Sequence, residues 1–242
     1  MPMADSGLMS KLRGRLDQLA WLPRIAVLRA RGKRRVALAS FPRSGNTWLR
    51  GLIEAATGQP TGSIYNDRVM ARGEEGVVIK THAWDMPRYT HAVLVVRHPF
   101  DALPSYFHYR QNIWKETTLT WEAFLPGAIE EWRGHTTRWL AAGRRMPLYR
   151  VRYEDLLAEP QGELANLLAW LGFVLPAEQV AAAIDHNALE KMRARHPRLG
   201  GEFFRRGLSG VGIEEFSEAE RALVRQRLGD LLAELGYDGG ES

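Results

Sequence analysis

The chain has 242 residues, no Cys, and 33 Lys plus Arg against 28 Asp plus Glu, which gives a formal charge of +5. The absence of Cys excludes a disulfide scaffold, thiolate metal sites and cysteine nucleophiles, and it favours a cytoplasmic location. No apolar run reaches the roughly 18 residues of a membrane-spanning helix, and the polar start lacks the apolar core of a secretory signal. We therefore expect one soluble globular domain of ordinary composition.

The N-terminal 35 residues are basic and amphipathic. Residues 8–31 alternate basic and apolar side chains, a pattern that predicts a helix. Without the six cations between residues 24 and 35, the chain holds 27 basic and 28 acidic residues, which argues against nucleic-acid binding. Two interpretations of residues 8–35 stay open, a solvated helix face and peripheral contact with a membrane. The six cations are Arg24, Arg29, Arg31, Lys33, Arg34 and Arg35.

Strands and helices alternate from residue 36 onward. Short apolar runs predict strands at Val36–Phe41, Val77–Lys80, Ala92–Arg97 and Pro147–Tyr153. Helical patterns follow the first run as far as Gly58, cover 99–112 and 119–142, and dominate from residue 155 onward. The last helix is predicted to begin at a capping box of Ser217 and Glu220. This alternation predicts that 36–242 form a single α/β domain, with a central, mostly parallel sheet flanked by helices in three layers.

The loop after the first predicted strand has features of an anion site. Ligands of open α/β sheets bind beyond the carboxyl ends of the strands, where this loop lies. Gly45 allows close approach to a phosphate, and the amides of 44–47 would point at it from a helix N-terminus. Ser44, Asn46 and Thr47 add short donors, and Arg43 adds a planar charge. A P-loop kinase is the nearest alternative enzyme, although the G-x-x-x-x-G-K-[ST] motif is absent. The alternative without a ligand is an ordinary strand-to-helix turn.

Two further segments place reactive side chains at strand ends. Lys80 ends the second predicted strand and His82 follows two residues later. The His82 side chain can therefore reach the crevice and accept a proton from a hydroxyl. Arg97 ends the third strand, and Ser105 falls two turns along the next helix, near an unusual Pro104. A structural histidine and an ordinary basic strand end are the alternatives.

Four motifs, in order, resemble those of sulfotransferases that use 3′-phosphoadenosine 5′-phosphosulfate (PAPS). SFPRSGNTWLR at 40–50 resembles the 5′-phosphosulfate loop, usually YPKSGTTW, and Lys80-Thr81-His82 resembles the motif of the catalytic base. Residues 97–105 resemble the 3′-phosphate segment R-x-P-x-D-x-x-x-S, and R-R-G-x-x-G at 205–210 resembles the loop that closes over that phosphate. YEDL at 153–156 also resembles a family strand end that contacts adenine. The family usually continues D-W-K where this chain has Val211-Gly212-Ile213.

The resemblance implies a PAPS-dependent O-sulfotransferase with a P-loop-like fold and no metal ion. His82 would be the general base, Lys80 a nearby positive charge, and Arg43 would stabilise the leaving oxygen where the family usually has lysine. Trp48 and Tyr153 would meet the adenine of the co-substrate PAPS and of its product, 3′-phosphoadenosine 5′-phosphate (PAP). The residues implied to bind this nucleotide are Arg43, Ser44, Gly45, Asn46, Thr47, Trp48, Arg97, Ser105, Tyr153, Arg205, Arg206 and Gly207.

The acceptor is less closely defined. The run LIEAATGQPTGSIYND at 52–67 resembles sulfotransferase domains found beside WSC carbohydrate-binding modules. That resemblance implies a hydroxyl on a glycan or glycolipid, with a small phenol or alcohol as the alternative acceptor. Candidate aromatic residues of the acceptor pocket are Tyr65, Trp84, Tyr106 and Trp114.

Overall fold

The computed structural model describes residues 20–65, 76–195 and 209–237. Residues 20–30 form the described part of helix α1. The strands are β1 (Val36–Ser40), β2 (Gly62–Ser63), β3 (Ile79–Thr81), β4 (His91–Val96) and β5 (Leu148–Arg152). The further helices are α2 (Asn46–Thr57), α3 (Pro99–Asn112), α4 (Trp121–Ala142), α5 (Tyr153–Ala158), α6 (Pro160–Leu171), α7 (Ala177–His186), α8 (Leu189–Arg195) and α9 (Glu218–Glu234), and short 3₁₀ turns cover Met86–Arg88 and Gly212–Glu215.

The five strands form one parallel sheet in the order β2-β3-β1-β4-β5. The central strand β1 pairs Leu38 with Lys80 of β3 on one side and with Val93 of β4 on the other. All parallel neighbours therefore end at the same edge, which brings the loops after β1, β3 and β4 together. The prediction of a single α/β domain with a mostly parallel sheet is confirmed.

Helices cover both faces of the sheet because successive side chains of a strand point to opposite faces. On one face Ala37, Ala39 and Leu94 pack in a core with residues of α3, α4 and α9. On the other face Leu38, Val93 and Val95 pack with α2, α6 and α7. The strands are apolar on both faces for this reason, as buried parallel strands are, and the predicted three layers are confirmed.

Helix α1 packs at the amino end of β1. Ile25 is 4% exposed, and the guanidinium of Arg35 lies 4.5 Å from the centre of the Trp21 ring. Gly32, with φ +62°, ends the helix: its amide donates to Arg29 O and the Lys33 amide donates to Leu28 O, a Schellman motif. Residues 1–19 lie outside the described residues, and the domain boundary at residue 35 stays a prediction. Among the described residues, none of the helices has the length and apolarity to cross a membrane.

Candidate active site

A cavity of about 940 Å³ opens at the carboxyl ends of the central strands. It is bordered by the loop after β1, the end of β3, the β4–α3 junction and the start of α5. Ten of the predicted site residues line it: Arg43, Gly45, Asn46, Thr47, Trp48, Lys80, His82, Arg97, Ser105 and Tyr153. Arg205, Arg206 and Gly207 lie outside the described residues, so their roles stay predictions.

The loop after β1 is held in an unusual backbone conformation. Gly45 caps α2 with φ +89°, in the left-handed region that favours glycine. A Cβ atom there would clash with the ring of Tyr153, lying 2.9 Å from Cε2 and closer still to Cδ2. Arg43 also has a positive φ of 69°, which is uncommon for a residue with a side chain and is typical of functional loops. The loop thus brings bare backbone to the mouth of the cavity.

Two polar side chains of this loop, those of Asn46 and Ser44, are buried. The Asn46 side-chain amide donates to Leu38 O and to Ser40 Oγ, both at 3.1 Å, so it ties the loop to β1. Ser44 Oγ is buried, has no hydrogen-bond partner among the described residues, and Ser44 does not border the cavity. The sequence predicted both residues as phosphate ligands, and those roles stay predictions.

Positive charge collects where the loop after β1 meets the start of α3. Arg43 Nε donates to Ser105 Oγ at 3.2 Å, and Arg97 Nη1 donates to the main-chain oxygen of Arg43 at 3.2 Å. The Arg97 guanidinium lies 4.5 Å from the centre of the Tyr153 ring. Burial lowers the pKa of Lys80, and the nearby charges of Arg50 and Arg43 lower it further. The loop after β1 and the start of α3 are thus joined through their cationic side chains, and Pro104 does not turn Ser105 away.

The tautomer of His82 follows from its hydrogen bonds. His82 Nδ1 lies 2.7 Å from Ser40 O and 3.3 Å from Ser40 Oγ. Because a carbonyl oxygen only accepts, Nδ1 carries the proton and Nε2 keeps its lone pair. Burial lowers the pKa of His82 to about 4, the Lys80 charge lowers it too, and the Ser40 carbonyl partly opposes both. The imidazole is therefore neutral near pH 7, with a free basic nitrogen.

A buried network fixes the turn that carries His82. Thr81 Oγ1 donates to Asp85 Oδ1 at 3.0 Å and accepts from the Ala83 amide at 3.0 Å. The Tyr89 hydroxyl donates to Asp85 Oδ2 at 2.8 Å. Burial raises the pKa of Asp85, an effect that the hydrogen bonds from Tyr89 and Thr81 oppose. Asp85 was not predicted as a site residue, and its signal in the sequence is an acid four residues after the Thr of the K-T-H motif.

The other side of the cavity is aromatic. Tyr65, Trp84, Tyr106 and Trp114 all line it, as the sequence predicted. The Tyr65 ring stacks on His82 at 5.7 Å, and its hydroxyl accepts a hydrogen bond from the His82 amide at 3.0 Å. Helix α4 adds three lining residues that the sequence did not indicate, Glu131, His135 and Arg138. Burial lowers the pKa of His135 to about 3, so it is uncharged near pH 7.

A second aromatic group lies beyond the cationic side chains. Trp48 and Tyr153 meet edge to face with their ring centres 5.8 Å apart, and both line the cavity. Asn187 and Leu189 border the same region. The Asn187 side-chain amide donates to Gly51 O at 3.0 Å, which joins the end of α7 to α2. This part of the cavity offers flat apolar surface suited to a planar base.

Asp101 holds the C-terminal segment against α3. Its carboxylate accepts from the amides of Gly210 and Gly212, each at 2.8 Å. Gly212 itself approaches α3 closely, since a Cβ atom there would lie 2.9 Å from Asp101 Cα. Both carboxylate oxygens are thus engaged by main-chain amides, and Asp101 has a structural role.

The described residues hold no group of three or more His, Asp or Glu side chains that could bind a metal ion. Metal independence therefore stays a prediction from the sequence.

Comparison with known proteins identifies the family. The family model described as "Sulfotransferase domain" matches residues 86–236, more than half of the chain. The chain belongs to the sulfotransferase family. The matched residues include Arg97, Ser105 and Tyr153, whereas the loop after β1 and His82 precede them.

Individual relatives agree with this assignment. WSCD family member CG9164 of Drosophila melanogaster is 29% identical over 213 residues, which cover 79% of this chain and 63% of that relative. This sulfotransferase chain thus spans less than two thirds of the relative's length. The structure of mouse sulfotransferase SULT7A1 complexed with PAP has a TM-score of 0.69 at 19% identity, covering 83% of this chain and 85% of the other. Retinol dehydratase in complex with androsterone and PAP has a TM-score of 0.63 at 20% identity, covering 82% and 80%.

Proposed function

We propose that the protein transfers the sulfuryl group of PAPS to an acceptor hydroxyl, with His82 as the general base. One observation carries this proposal: the unprotonated Nε2 of a neutral imidazole shares a cavity with Arg43, Lys80 and Arg97. A free base beside clustered cations suits an acceptor hydroxyl that attacks an anionic donor. Membership of the sulfotransferase family supports the same reaction.

The cationic part of the cavity supports PAPS as the donor. The bare backbone at Gly45 and the N-terminus of α2 suit the 5′-phosphosulfate, because amides and the helix dipole favour an anion there. Arg97 and Ser105 would bind the 3′-phosphate, with Arg205, Arg206 and the Gly207 amide as further ligands. Trp48 and Tyr153 would bind the adenine. The relatives with known structures that are named above were solved with PAP, which supports this choice of nucleotide.

The proposed reaction forms one sulfur–oxygen bond and breaks another. PAPS supplies an activated sulfuryl group, and PAP departs with the electron pair of the broken bond. His82 Nε2 takes the acceptor proton, a contribution of about 10²–10⁴-fold to rate. Arg43 and Lys80 stabilise the charge that collects on the departing phosphate oxygen.

We propose a glycan as the acceptor. Tyr65 is 58% exposed and Trp114 is 53% exposed at the cavity, so both present flat apolar faces on which sugar rings can stack. Glu131 and Arg138 add polar groups for hydroxyls on the same side. The WSCD name of a relative accords with the resemblance noted from the sequence. A glycolipid and a small phenol or alcohol are the competing acceptors.

For the protein's location, we propose the cytoplasm with peripheral membrane contact through residues 8–35. The Cys-free composition favours a reducing compartment, and the basic character of α1 favours an anionic surface.

Labelled-sulfate transfer from PAPS to a panel of glycans, glycolipids, phenols and peptides tests the proposal. We expect transfer to a glycan, and much slower transfer from adenosine 5′-phosphosulfate, which lacks the 3′-phosphate. Arg97→Ala should lower the preference for PAPS by about 10–100-fold, because a hydrogen bond to a charged group contributes about 1.5–3 kcal/mol. Phosphate transfer from ATP, or no transfer from PAPS to any acceptor, would contradict the proposal.

A further inference from the structure

The outward face of α1 is apolar. Trp21 and Ile25 face the domain, and the residues on the opposite side of the helix are exposed. Leu22 and Val27, the largest of them, are 50% and 49% exposed. An exposed apolar stripe of this kind is typical of an interaction surface. The stripe consists of Leu22, Pro23, Ala26, Val27 and Ala30.

Basic residues flank the stripe. Arg24 and Arg29 are exposed on either side of it, and the helix is followed by Arg31 and Lys33. Residues 20–35 contain no Asp or Glu. An apolar face bordered by cations is the pattern of helices that lie in the interface of an anionic bilayer.

A basic cleft adjoins the end of α1. It has a volume of about 400 Å³ and lies between the α1–β1 turn, the start of β4 and the end of α6. Arg29, Lys33 and Arg34 line it with His91, and none of the described residues lining it is Asp or Glu. Arg34 Nη1 donates to Trp170 O at 2.8 Å while its guanidinium lies 4.8 Å from the centre of the Trp170 ring. The cleft is therefore large enough for a phosphate group, and one of its cations is already held in place.

His91 shares this cleft with the cations of Arg34 and Arg29. Burial lowers the pKa of His91, and the charges of Arg34 and Arg29 lower it further. The cleft thus has a positive potential that favours an anion and disfavours a second cation.

We propose that the stripe on α1 and the basic cleft form one surface that docks on an anionic phospholipid bilayer. The stripe enters the interface and the cleft binds a lipid phosphate. This inference gives the residues and the headgroup chemistry of the membrane contact suggested under the proposed function, and it does not depend on the transfer chemistry.

The docking surface also orients the domain. It lies where β1 begins, whereas the cavity lies where β1 ends, so the two sites are at opposite ends of the sheet. A docked domain keeps its cavity at the end remote from the lipid. The arrangement favours a soluble glycan as acceptor over a glycolipid of the same bilayer.

Sedimentation of the full chain with vesicles tests the charges of this surface. We expect binding to phosphatidylcholine vesicles that contain one quarter phosphatidylglycerol, and little binding to pure phosphatidylcholine. The double variant R29Q/K33Q should bind about 30-fold more weakly, since each Lys or Arg near an anionic surface contributes about fivefold. The control R133Q/R227Q removes the same charge from exposed sites on α4 and α9 and should bind like wild type.

The apolar stripe is tested with L22S/V27S, which should also lose vesicle binding. I113S is its control, because Ile113 is 38% exposed and precedes Trp114, which lines the cavity at the other end of the sheet. Transfer to a soluble acceptor should be unchanged in R29Q/K33Q, so vesicle binding and catalysis are scored separately.

Several results would overturn the proposal. Equal binding to both vesicles, or equal losses in R29Q/K33Q and R133Q/R227Q, would show that the cleft is not involved. Binding of inorganic phosphate without vesicle binding would identify a soluble ligand. A dimer that L22S/V27S converts to a monomer, with no vesicle binding, would identify a second copy as the occupant of the stripe.

Discussion

One main-chain carbonyl determines which nitrogen of His82 can act as a base. Because Ser40 O accepts from Nδ1 at 2.7 Å, Nε2 has no proton and is the nitrogen that can accept one. We expect His82→Ala to lower sulfate transfer by about 10²–10⁴-fold while PAP affinity changes little, since the imidazole acts on the acceptor proton. Labelled-sulfate transfer and calorimetric titration with PAP measure the two effects. Transfer within a few-fold of wild type would contradict the role of His82 as the base.

The lowered pKa of His82 should also determine where kcat/KM falls at acid pH. The proposed role as a base needs neutral His82, whose pKa is lowered to about 4, so kcat/KM should be flat near neutrality and fall as the pH drops through about 4. Lys80→Met removes a charge that lowers this pKa, so the limb should move to higher pH whatever happens to the rate. The measurement is the pH dependence of kcat/KM, restricted by circular dichroism to conditions where the protein is folded. A wild-type limb near 6.5, the ordinary value for His, would contradict the buried, charge-depressed imidazole.

At the scale of elements, the two ends of α2 provide a matched pair of glycines. Gly45 and Gly58 both have positive φ. A Cβ atom added at Gly45 would clash with the Tyr153 ring, whereas one added at Gly58 would have no neighbour within 4 Å. Gly58→Ala should cost about 1–2 kcal/mol of unfolding free energy, the strain of a left-handed residue, and leave PAP affinity unchanged. Gly45→Ala should lower the unfolding free energy by more than this. It should also abolish PAP binding, because displacing the Tyr153 ring would move the Arg97 guanidinium that lies against it. Denaturant unfolding and calorimetry compare the two variants, and equal effects on PAP affinity would contradict the role of Gly45.

Elements with strong local patterns were predictable from the sequence. The apolar runs predicted β1, β3, β4 and β5 to within about two residues, and the capping box of Ser217 and Glu220 is present at the start of α9. Strand β2 was missed because Gly62 and Ser63 have neither the length nor the apolar side chains of a strand. Its pairing with β3 depends on tertiary contact, which local pattern does not encode.

The same distinction applies to the candidate site. Residues at strand ends, such as His82 and Arg97, could be predicted because topology alone brings strand ends together. His135 and Arg138 lie in the middle of a long helix, and which face of α4 borders the cavity depends on how α4 packs on the sheet. The burial of Ser44 Oγ could not be predicted either, since it follows from the left-handed backbone on both sides of it.

For the whole molecule, positive charge is divided between the two ends of the sheet. The cations of α1 and the basic cleft lie at the amino end, and Arg43, Lys80 and Arg97 lie at the carboxyl end. Without the six cations of residues 24–35 the chain holds 27 basic and 28 acidic residues, so the net charge of +5 comes from the amino end. The proposed nucleotide site and the proposed membrane surface therefore use different residues.

Three partly or fully buried histidines link the stability of the whole molecule to pH. Burial lowers the pKa of His82 and of His98 to about 4 and that of His135 to about 3. In the unfolded chain each imidazole titrates near its ordinary value of about 6.5. Between these values the unfolded chain binds protons that the native protein does not, so native stability falls as the pH drops from about 6.5 towards 4.

We therefore expect the Tm to be nearly constant above pH of about 6.5 and to fall steeply below it, before most carboxylates titrate. His135→Phe should reduce this acid loss, because both ring nitrogens of His135 are buried without hydrogen-bond partners among the described residues and an aromatic ring of similar shape needs no proton. His186→Gln is the control, since His186 is exposed and its loss should leave the steep region unchanged. Thermal unfolding followed by circular dichroism from neutral to acid pH compares the three proteins. Two results would contradict this account: a wild-type Tm that stays constant down to about pH 4, or an equal fall of Tm with pH in H135F and H186Q. Either would show that the buried histidines take up protons in the native state and that acid acts through the carboxylates instead.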